Sequence, residues 1–138
     1  MVVQDVYERR ITYDSKISGA KDAYTAMKRF WGKKQEHFLV MTLDGNHKPI
    51  KIHVVTIGLL NRTLIHPREV FRTAILDCAA GIIIAHNHPS SNLQPSTEDD
   101  QITRRLFDSG QLVGIPVLDH LIISKSGYYS YQEVGKLT

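Results

Sequence analysis

The sequence has few of the features that mark several classes of protein. It contains one cysteine, Cys78, so no disulfide can form within the chain, and we expect a reducing compartment. No run approaches the roughly 18 apolar residues that a membrane-spanning helix needs. The first ten residues mix charges and lack the apolar stretch of a signal peptide. These absences predict a cytoplasmic protein without a membrane partner.

Repeats and low-complexity segments are also missing, and the rest of the composition is globular. Of the 138 residues, 42% are hydrophobic and 22% are charged. A chain of this length can bury roughly two-thirds of its unfolded surface, which is enough for a core without disulfides. We therefore expect one domain over residues 1–138.

Hydrophobic periodicity predicts an α/β fold with a mixed sheet flanked by helices. The predicted elements are, in chain order, helix 18–31, strands 37–43 and 50–57, a helix from Pro67, strand 82–85, helix 97–109 and strands 115–124 and 128–131. The wholly apolar strand 82–85 should be central, because such runs are typical of strands covered on both faces. The two pairs of neighbouring strands predict antiparallel hairpins.

Helical spacing and glycines suggest how the predicted helices pack and end. Ile75 and Cys78 continue the apolar face of the helix that begins at Pro67, so we expect Cys78 in the core. Gly81 is expected to end that helix, and Gly110 to end the last one. His66, directly before Pro67, is a candidate cap.

Two histidines follow the central strand directly. His86 and His88 are two residues apart, and alternate residues of an extended chain point to the same side. Pro89 favours extended backbone at the residue before it. Imidazole suits zinc, and catalytic zinc sites combine three protein ligands with water. The pair therefore predicts a metal site with a third ligand nearby.

Asp99 is the candidate third ligand, because it lies in the first turn of the next helix across a polar loop. The helix dipole there favours an ionised carboxylate. A second interpretation stays open, since residues 96–99 fit the capping-box pattern [ST]-x-x-[DE]. Ser96 would then be the cap and Asp99 its partner, but the paired histidines would be unexplained.

A hydrolytic metal site also needs a carboxylate that takes the proton of the attacking water. Spacing alone does not select it, and the candidates are Glu36, Glu69, Glu98 and Asp119. From the residues alone, an exposed role in the charged stretch 33–36 is the simpler interpretation of Glu36. His120 is more consistent with a hydrogen-bonded structural histidine than with a ligand.

The residues of this region resemble a known family. From His86 to Asp99 the chain matches the JAMM signature H-x-H-x7-S-x2-D at every fixed position. The wider context resembles RadC, a bacterial branch of the JAMM/MPN (JAB-type) superfamily. The matching stretches are 66–71, 85–90, 118–120 and 127–130, and the resemblance covers about residue 36 to the C-terminus. RadC proteins usually have glycine after His-Pro-Ser, where this chain has Ser91.

The resemblance implies a cytidine-deaminase-like α/β fold, with residues 1–35 as a helical lead-in and 36–138 as a catalytic core. It implies one Zn²⁺ ion held by His86, His88 and Asp99. It also assigns Glu36 as the acid/base carboxylate, and Ser96 as a hydrogen-bonding group near the metal water or the oxyanion. The implied activity is that of a metallopeptidase or isopeptidase, which cleaves an amide bond of a protein or peptide with a zinc-bound water.

The alternative is a DNA-associated accessory protein of the RadC type, because RadC carries a DNA-repair label. A basic patch would permit it, formed by Lys28, Arg29, Lys33 and Lys34. The sequence shows neither the helix-hairpin-helix module of longer RadC proteins nor the interleaved aromatics of a single-strand platform. A deaminase would need H-x-E and C-x-x-C, which are absent.

Overall fold

The computed structural model describes residues 16–58 and 65–137. Three helices and five strands alternate along the chain, in the predicted order. They are α1 (Ala20–Ala26), β1 (His37–Leu43), β2 (Pro49–Ile57), α2 (Pro67–Leu76), β3 (Gly81–Asn87), α3 (Thr97–Val113), β4 (Val117–Ser124) and β5 (Gly127–Ser130). In the described ranges, no helix combines the length and apolar composition that a membrane crossing requires.

The five strands form one mixed sheet in the order β2-β1-β3-β4-β5, with β3 in the middle as expected. The pairs β1–β2, β1–β3 and β4–β5 are antiparallel, whereas β3 and β4 are parallel. The two predicted hairpins are therefore confirmed. All seven residues of β3 are buried, as its apolar sequence predicts.

Helices cover both faces of the sheet, and alternate residues of β3 contact different helices. Ile83 and Ala85 belong to the core cluster that contains α1. Ile82 and Ile84 belong to the second cluster, which contains α2 and α3. The side chains that continue this alternation past Ala85 therefore also lie on opposite faces.

The first helix is shorter than predicted. It ends at Ala26 and is followed by one 3₁₀ turn, Lys28–Phe30, rather than running on to residue 31. Met27, with φ −99° and ψ 16°, leaves the helical conformation. The apolar residues were still correctly placed, because Met27 and Phe30 are both buried.

The prediction that Cys78 lies in the core was wrong. α2 ends at Leu76, Cys78 has φ 54°, and its side chain is exposed. Ile75 is 60% exposed as well. The chain turns here because the side chain of Asp77 is fixed on the sheet, where it accepts a hydrogen bond from Thr42 at 2.7 Å. Gly81 begins β3 instead of ending the helix.

Gly110 does not end α3, which runs on to Val113 and is closed by Gly114 at φ 79°. Gly110 is buried where the helix passes close to the chain that leads into β4. A Cβ atom at this position would lie 2.7 Å from the carbonyl oxygen of Ile115. The glycine is therefore explained by close packing rather than by helix termination.

Candidate metal centre

The end of β3 places two imidazoles side by side. His86 is the sixth residue of the strand, and its side chain is 1% exposed. The strand-like course continues past Asn87, because the amide of His88 donates to the carbonyl of Ile123 on β4 at 3.1 Å. Nε2 of His86 and Nε2 of His88 lie 3.0 Å apart. Both rings therefore face the same side, as their spacing predicted.

The N-terminus of α3 adds a carboxylate. Ser96 is the N-cap, and its hydroxyl oxygen accepts from the amide of Asp99 at 3.0 Å. In return, Asp99 Oδ2 accepts from the amide of Ser96 at 2.8 Å. The capping box is thus present, and it fixes the carboxylate at the mouth of the strand. The two interpretations of residues 96–99 are compatible.

The two histidines and Asp99 form a compact cluster. Asp99 Oδ1 lies 3.2 Å from His86 Nε2, and Oδ2 lies 3.4 Å from His88 Nε2. One ligand atom from each residue falls within 4.8 Å of the others, which is a spacing that could hold a metal ion. In the described part of the chain, no further group of three or more His, Cys, Asp or Glu has such a spacing.

Electrostatic effects in the cluster favour a cation. Burial raises the pKa of Asp99, but hydrogen bonds from His86 and His88 outweigh burial and hold that pKa well below its usual range. The hydrogen bond with Asp99 raises the pKa of His88, although burial opposes the rise. An ionised carboxylate thus faces two imidazoles, and the cluster attracts positive charge, either a proton or a metal ion.

The loop after β3 fixes the outer histidine. Nδ1 of His88 lies 2.5 Å from the carbonyl oxygen of Asn92. A carbonyl oxygen can only accept, so this nitrogen carries hydrogen, and the Nε2 of a neutral His88 is bare. The loop turns at Ser91, whose φ is 66°. This left-handed backbone favours glycine, which is the residue that RadC proteins usually have here.

Glu36 lies at the same opening, on the loop that leads into β1. It lines a cavity of about 520 Å³ together with His88, Ser96 and Asp99. Burial raises the pKa of Glu36, the charges of His86 and His88 lower it, and that of Asp99 raises it further. The structure therefore brings all five sequence-predicted site residues into one region.

Asn87 holds the Glu36 loop from the opposite face of β3. Its Oδ1 accepts from the amide of His37 at 2.7 Å, and its Nδ2 donates to the carbonyls of Lys33 and Gln35 at 3.1 and 3.0 Å. Sequence reasoning missed this role, because all three partners lie at least 50 residues away. The available signal was the place of Asn87 in the sequence, just after an apolar run and between two candidate ligands.

The other candidate carboxylates are placed differently. Glu69 pairs with Arg68 at 3.2 Å on the first turn of α2. Asp119 lies on the opposite face of the sheet from His120, where it accepts from Ser130 at 2.6 Å. Glu98 lines the same cavity as Glu36. Of the four candidate carboxylates, only Glu36 and Glu98 line this cavity, and Glu36 is the more buried of the two.

The structure also shows the contacts of His66 and His120, two histidines whose roles the sequence left undecided. His66 caps α2, and its Nδ1 accepts from the amide of Arg68 at 3.0 Å. His120 is fully buried, and its Nε2 lies 2.9 Å from Nδ1 of His86. On the other side, its Nδ1 contacts the hydroxyl of Thr103. His120 is thus a hydrogen-bonded neighbour of the candidate ligand His86.

Comparison with known proteins identifies the family. The model of the RadC-like JAB domain matches residues 17–136. The chain belongs to this family. The α/β architecture, with a five-stranded mixed sheet and three helices, is consistent with the JAB/MPN-like fold that the resemblance implied.

Curated relatives of the RadC-like chain are named UPF0758 proteins. The protein of Methanospirillum hungatei is 53% identical over 106 residues, which are 77% of this chain and 47% of that protein. Its counterpart in Methanosarcina mazei is 43% identical over 121 residues, 87% of this chain and 53% of that protein. The chain therefore spans about half the length of these curated relatives.

Proposed function

We propose that this RadC-like domain is a zinc-dependent hydrolase that cleaves an amide bond, as a peptidase or an isopeptidase. The observation that carries the proposal is the convergence of two imidazole Nε2 atoms and one carboxylate within 4.8 Å. Membership of the JAB-domain family supports the same chemistry. The natural substrate is proposed only as a class, a protein or peptide.

The donor set fits zinc better than magnesium or calcium. Magnesium and calcium prefer oxygen ligands, whereas two imidazoles and one carboxylate are an established catalytic zinc set with a position left for water. Two of the three side chains, His86 and Asp99, are less than a tenth exposed, and His88 is 16% exposed. The ion would therefore be accessible from the cavity that Glu36 and Ser96 line.

A zinc ion bound there would supply Lewis-acid chemistry and lower the pKa of water at the site to about 7. Glu36 would take the proton of the attacking water and transfer it to the leaving amine. The raised pKa of Glu36, which results first from burial, suits a group that both accepts and returns a proton. Ser96 would donate its hydroxyl hydrogen to the oxygen of the tetrahedral intermediate.

Zinc titration tests the metal part of the proposal. We expect wild type, purified with chelator and then titrated with zinc, to bind one ion, and His88→Ala to lose this binding. His47→Asn is the matched control, because His47 is exposed in a turn with φ 61°, which asparagine tolerates. A wild type that stays free of zinc, or a His88→Ala protein that binds equally well, would contradict the proposal.

A separate assay tests hydrolysis. Zinc-loaded wild type is incubated with a mixed fluorogenic peptide library and with peptides branched through a lysine side-chain amide. We expect Glu36→Gln to retain zinc but to lower turnover by about 10²–10⁴-fold, the usual contribution of general acid–base catalysis. If wild type and Glu36→Gln turn over equally, Glu36 is not the acid/base; if neither substrate class is cleaved, the peptidase assignment fails.

A second candidate function, DNA association, is favoured by the exposed basic patch of residues 28, 29, 33 and 34. Lys33 and Lys34 belong to the loop that carries Glu36, so a bound polyanion would lie beside the candidate site. Electrostatic binding of this type weakens steeply with salt. Binding of a short duplex at low salt, lost in Lys33→Ala/Lys34→Ala, would support it, and absence of binding at low salt would exclude it.

A further inference from the structure

Behind His86, on the side away from the cavity, a chain of hydrogen bonds runs back to the helix that carries Asp99. Nδ1 of His86 lies 2.9 Å from Nε2 of His120. Nδ1 of His120 contacts the hydroxyl oxygen of Thr103. The hydroxyl of Thr103 in turn donates to the carbonyl oxygen of Asp99 at 2.7 Å. The chain thus links two of the three candidate ligands through side chains of β4 and α3.

The positions of the hydrogens along this chain follow from its last link. The carbonyl oxygen of Asp99 can only accept, so the single hydroxyl hydrogen of Thr103 is used there. The hydroxyl oxygen of Thr103 must then accept from His120, which places a hydrogen on Nδ1. In a neutral His120 the Nε2 atom is therefore bare, and it accepts from Nδ1 of His86. One hydrogen serves each contact in this arrangement.

We propose that Thr103 and His120 are positioning residues that keep a hydrogen on Nδ1 of His86, so that Nε2, which faces Asp99, is the nitrogen on which a metal ion would replace a proton. This inference rests on the proposed metal site. The opposite assignment would turn the chain around: His120 would donate through Nε2, and His86 would carry its hydrogen on Nε2, where it would block the ligand position. It would also leave the 2.7 Å contact between Thr103 and Asp99 without a hydrogen.

The two histidine ligands differ in how their tautomers are fixed. His88 bonds to a backbone carbonyl, which accepts in every circumstance. His86 bonds to another imidazole, which can either donate or accept. A third group is therefore needed to decide, and Thr103 is that group. Histidine ligands in metal sites commonly donate the hydrogen of their other ring nitrogen to a carboxylate, a backbone carbonyl or water, and loss of such a partner typically costs about 10–100-fold in metal affinity or activity.

Packing around His120 prevents its ring from escaping the arrangement. The ring is fully buried and stacks on Tyr131, with the centroids 5.0 Å apart and the planes at 11°. On another side, Phe38 meets it edge-on at 6.0 Å. A ring held in this way can exchange its hydrogen between the two nitrogens but has little freedom to turn. The identity of its neighbours therefore decides its tautomer.

Substitution of Thr103 tests the proposal. Thr103→Val keeps the shape of the side chain but removes the oxygen that His120 donates to, and we expect about 10–100-fold weaker zinc binding. Thr103→Ser should restore the affinity, because the hydroxyl returns. Thr73→Val is the matched control, since Thr73 is a buried helical threonine whose hydroxyl donates to Val70 at 2.7 Å, without a histidine. Equal zinc affinity in Thr103→Val and Thr73→Val would overturn the proposal.

A second measurement uses unaltered protein and needs neither zinc nor activity. Nitrogen-15 NMR of the histidine rings in zinc-free wild type should show hydrogen on Nδ1 of His120 and a bare Nε2. This tautomer is the less common one in water, so its presence would identify the Thr103 contact. Hydrogen on Nε2 of His120 would overturn the inference. A wild type that binds no zinc would instead refute the proposed function and leave the tautomer result standing.

Discussion

Two clusters in this sheet each pair histidine with an aspartate, yet they are opposite in chemical character. In the first, Asp77 accepts from Thr42 and contacts Nε2 of His53, both at 2.7 Å. In the second, Asp99 meets two imidazoles whose other nitrogens are already engaged, with Asn92 and His120. In the Asp77 cluster, hydrogen-bond donors on Thr42 and His53 already face the carboxylate. In the Asp99 cluster the other ring nitrogens already hold a hydrogen, so the Nε2 atoms meet the carboxylate only through an added proton or a metal ion.

The difference shows that residue type alone does not make a metal site. Both aspartates are nearly buried, with side chains 5% and 8% exposed. Asp77 is the C-cap of α2, and Asp99 lies in the first turn of α3. The two clusters differ in whether the partner atoms that face the carboxylate carry a hydrogen of their own. The Asp77 cluster fixes the end of α2 on β1 and β2, and we infer a structural role for it.

The largest effect on folding should come from Asp77→Ala. It removes the acceptor of two buried donors on Thr42 and His53, so we expect the free energy of unfolding to fall by about 3 kcal/mol. Zinc affinity should be unchanged. Asp108→Ala is the control, because Asp108 is exposed and forms a surface pair with Arg104, worth at most about 0.5 kcal/mol. Urea denaturation measures the stability of both variants. A change in the zinc affinity of Asp77→Ala would contradict a purely structural role for the Asp77 cluster.

Asp99→Asn should abolish the stabilisation by zinc while leaving the fold intact. Asparagine can still accept from the amide of Ser96, so the cap is preserved. Wild type should gain about 2.7 kcal/mol in unfolding free energy when free zinc is 100 times its dissociation constant. Asp99→Asn should gain nothing, whereas Asp77→Ala should gain as much as wild type. A zinc-dependent shift in the melting temperature of Asp99→Asn would count against the assignment of Asp99 as a ligand.

Asn87→Ala should loosen the Glu36 loop without disturbing the metal cluster. Loss of three hydrogen bonds to residues 33–37 should cost about 1–2 kcal/mol and speed amide exchange of His37. Zinc affinity should remain within a few-fold of wild type while turnover falls. Asn46→Ala, in the exposed β1–β2 turn, is the control. If Asn87→Ala instead abolishes zinc binding, the two faces of β3 are not independent.

The smallest effect should come from Ser91→Gly. Ser91 has φ 66°, so glycine would relieve a left-handed backbone that costs other residues about 1–2 kcal/mol. The gain is partly offset by the greater freedom of glycine in the unfolded chain, and we expect a net stabilisation of up to about 1 kcal/mol. Zinc affinity should change little, because Asn92 still bonds to His88. Destabilisation would show that the serine hydroxyl has a role of its own.

The sequence was most informative where structure depends on nearby residues. The alternation of His86 and His88 is a property of one strand, and the capping box joins residues three apart. β1 was predicted residue for residue, and the central place of β3 followed from its apolar run. The metal cluster combines these local patterns. Assignment of roles to Glu36 and Ser96 required the family resemblance, and their catalytic part stays a prediction.

The errors arose where distant contacts decide. Cys78 continued a helical period, but the anchoring of Asp77 on β1 ended the helix first. Gly110 looked like a stop signal, although packing against Ile115 explains it. The partners of Asn87 and the chain through His120 to Thr103 join segments between 17 and 54 residues apart. No periodicity records such contacts.

The double use of Asp99 has a practical consequence. Its Oδ2 accepts from the amide of Ser96 and also lies 3.4 Å from Nε2 of His88. An ion that binds Oδ2 of Asp99 would weaken the hydrogen bond that this oxygen accepts from the amide of Ser96. The resonance and exchange rate of that one amide should therefore report whether the site is filled. The amide signal of Ser96 would then measure metal occupancy without a dye or a substrate.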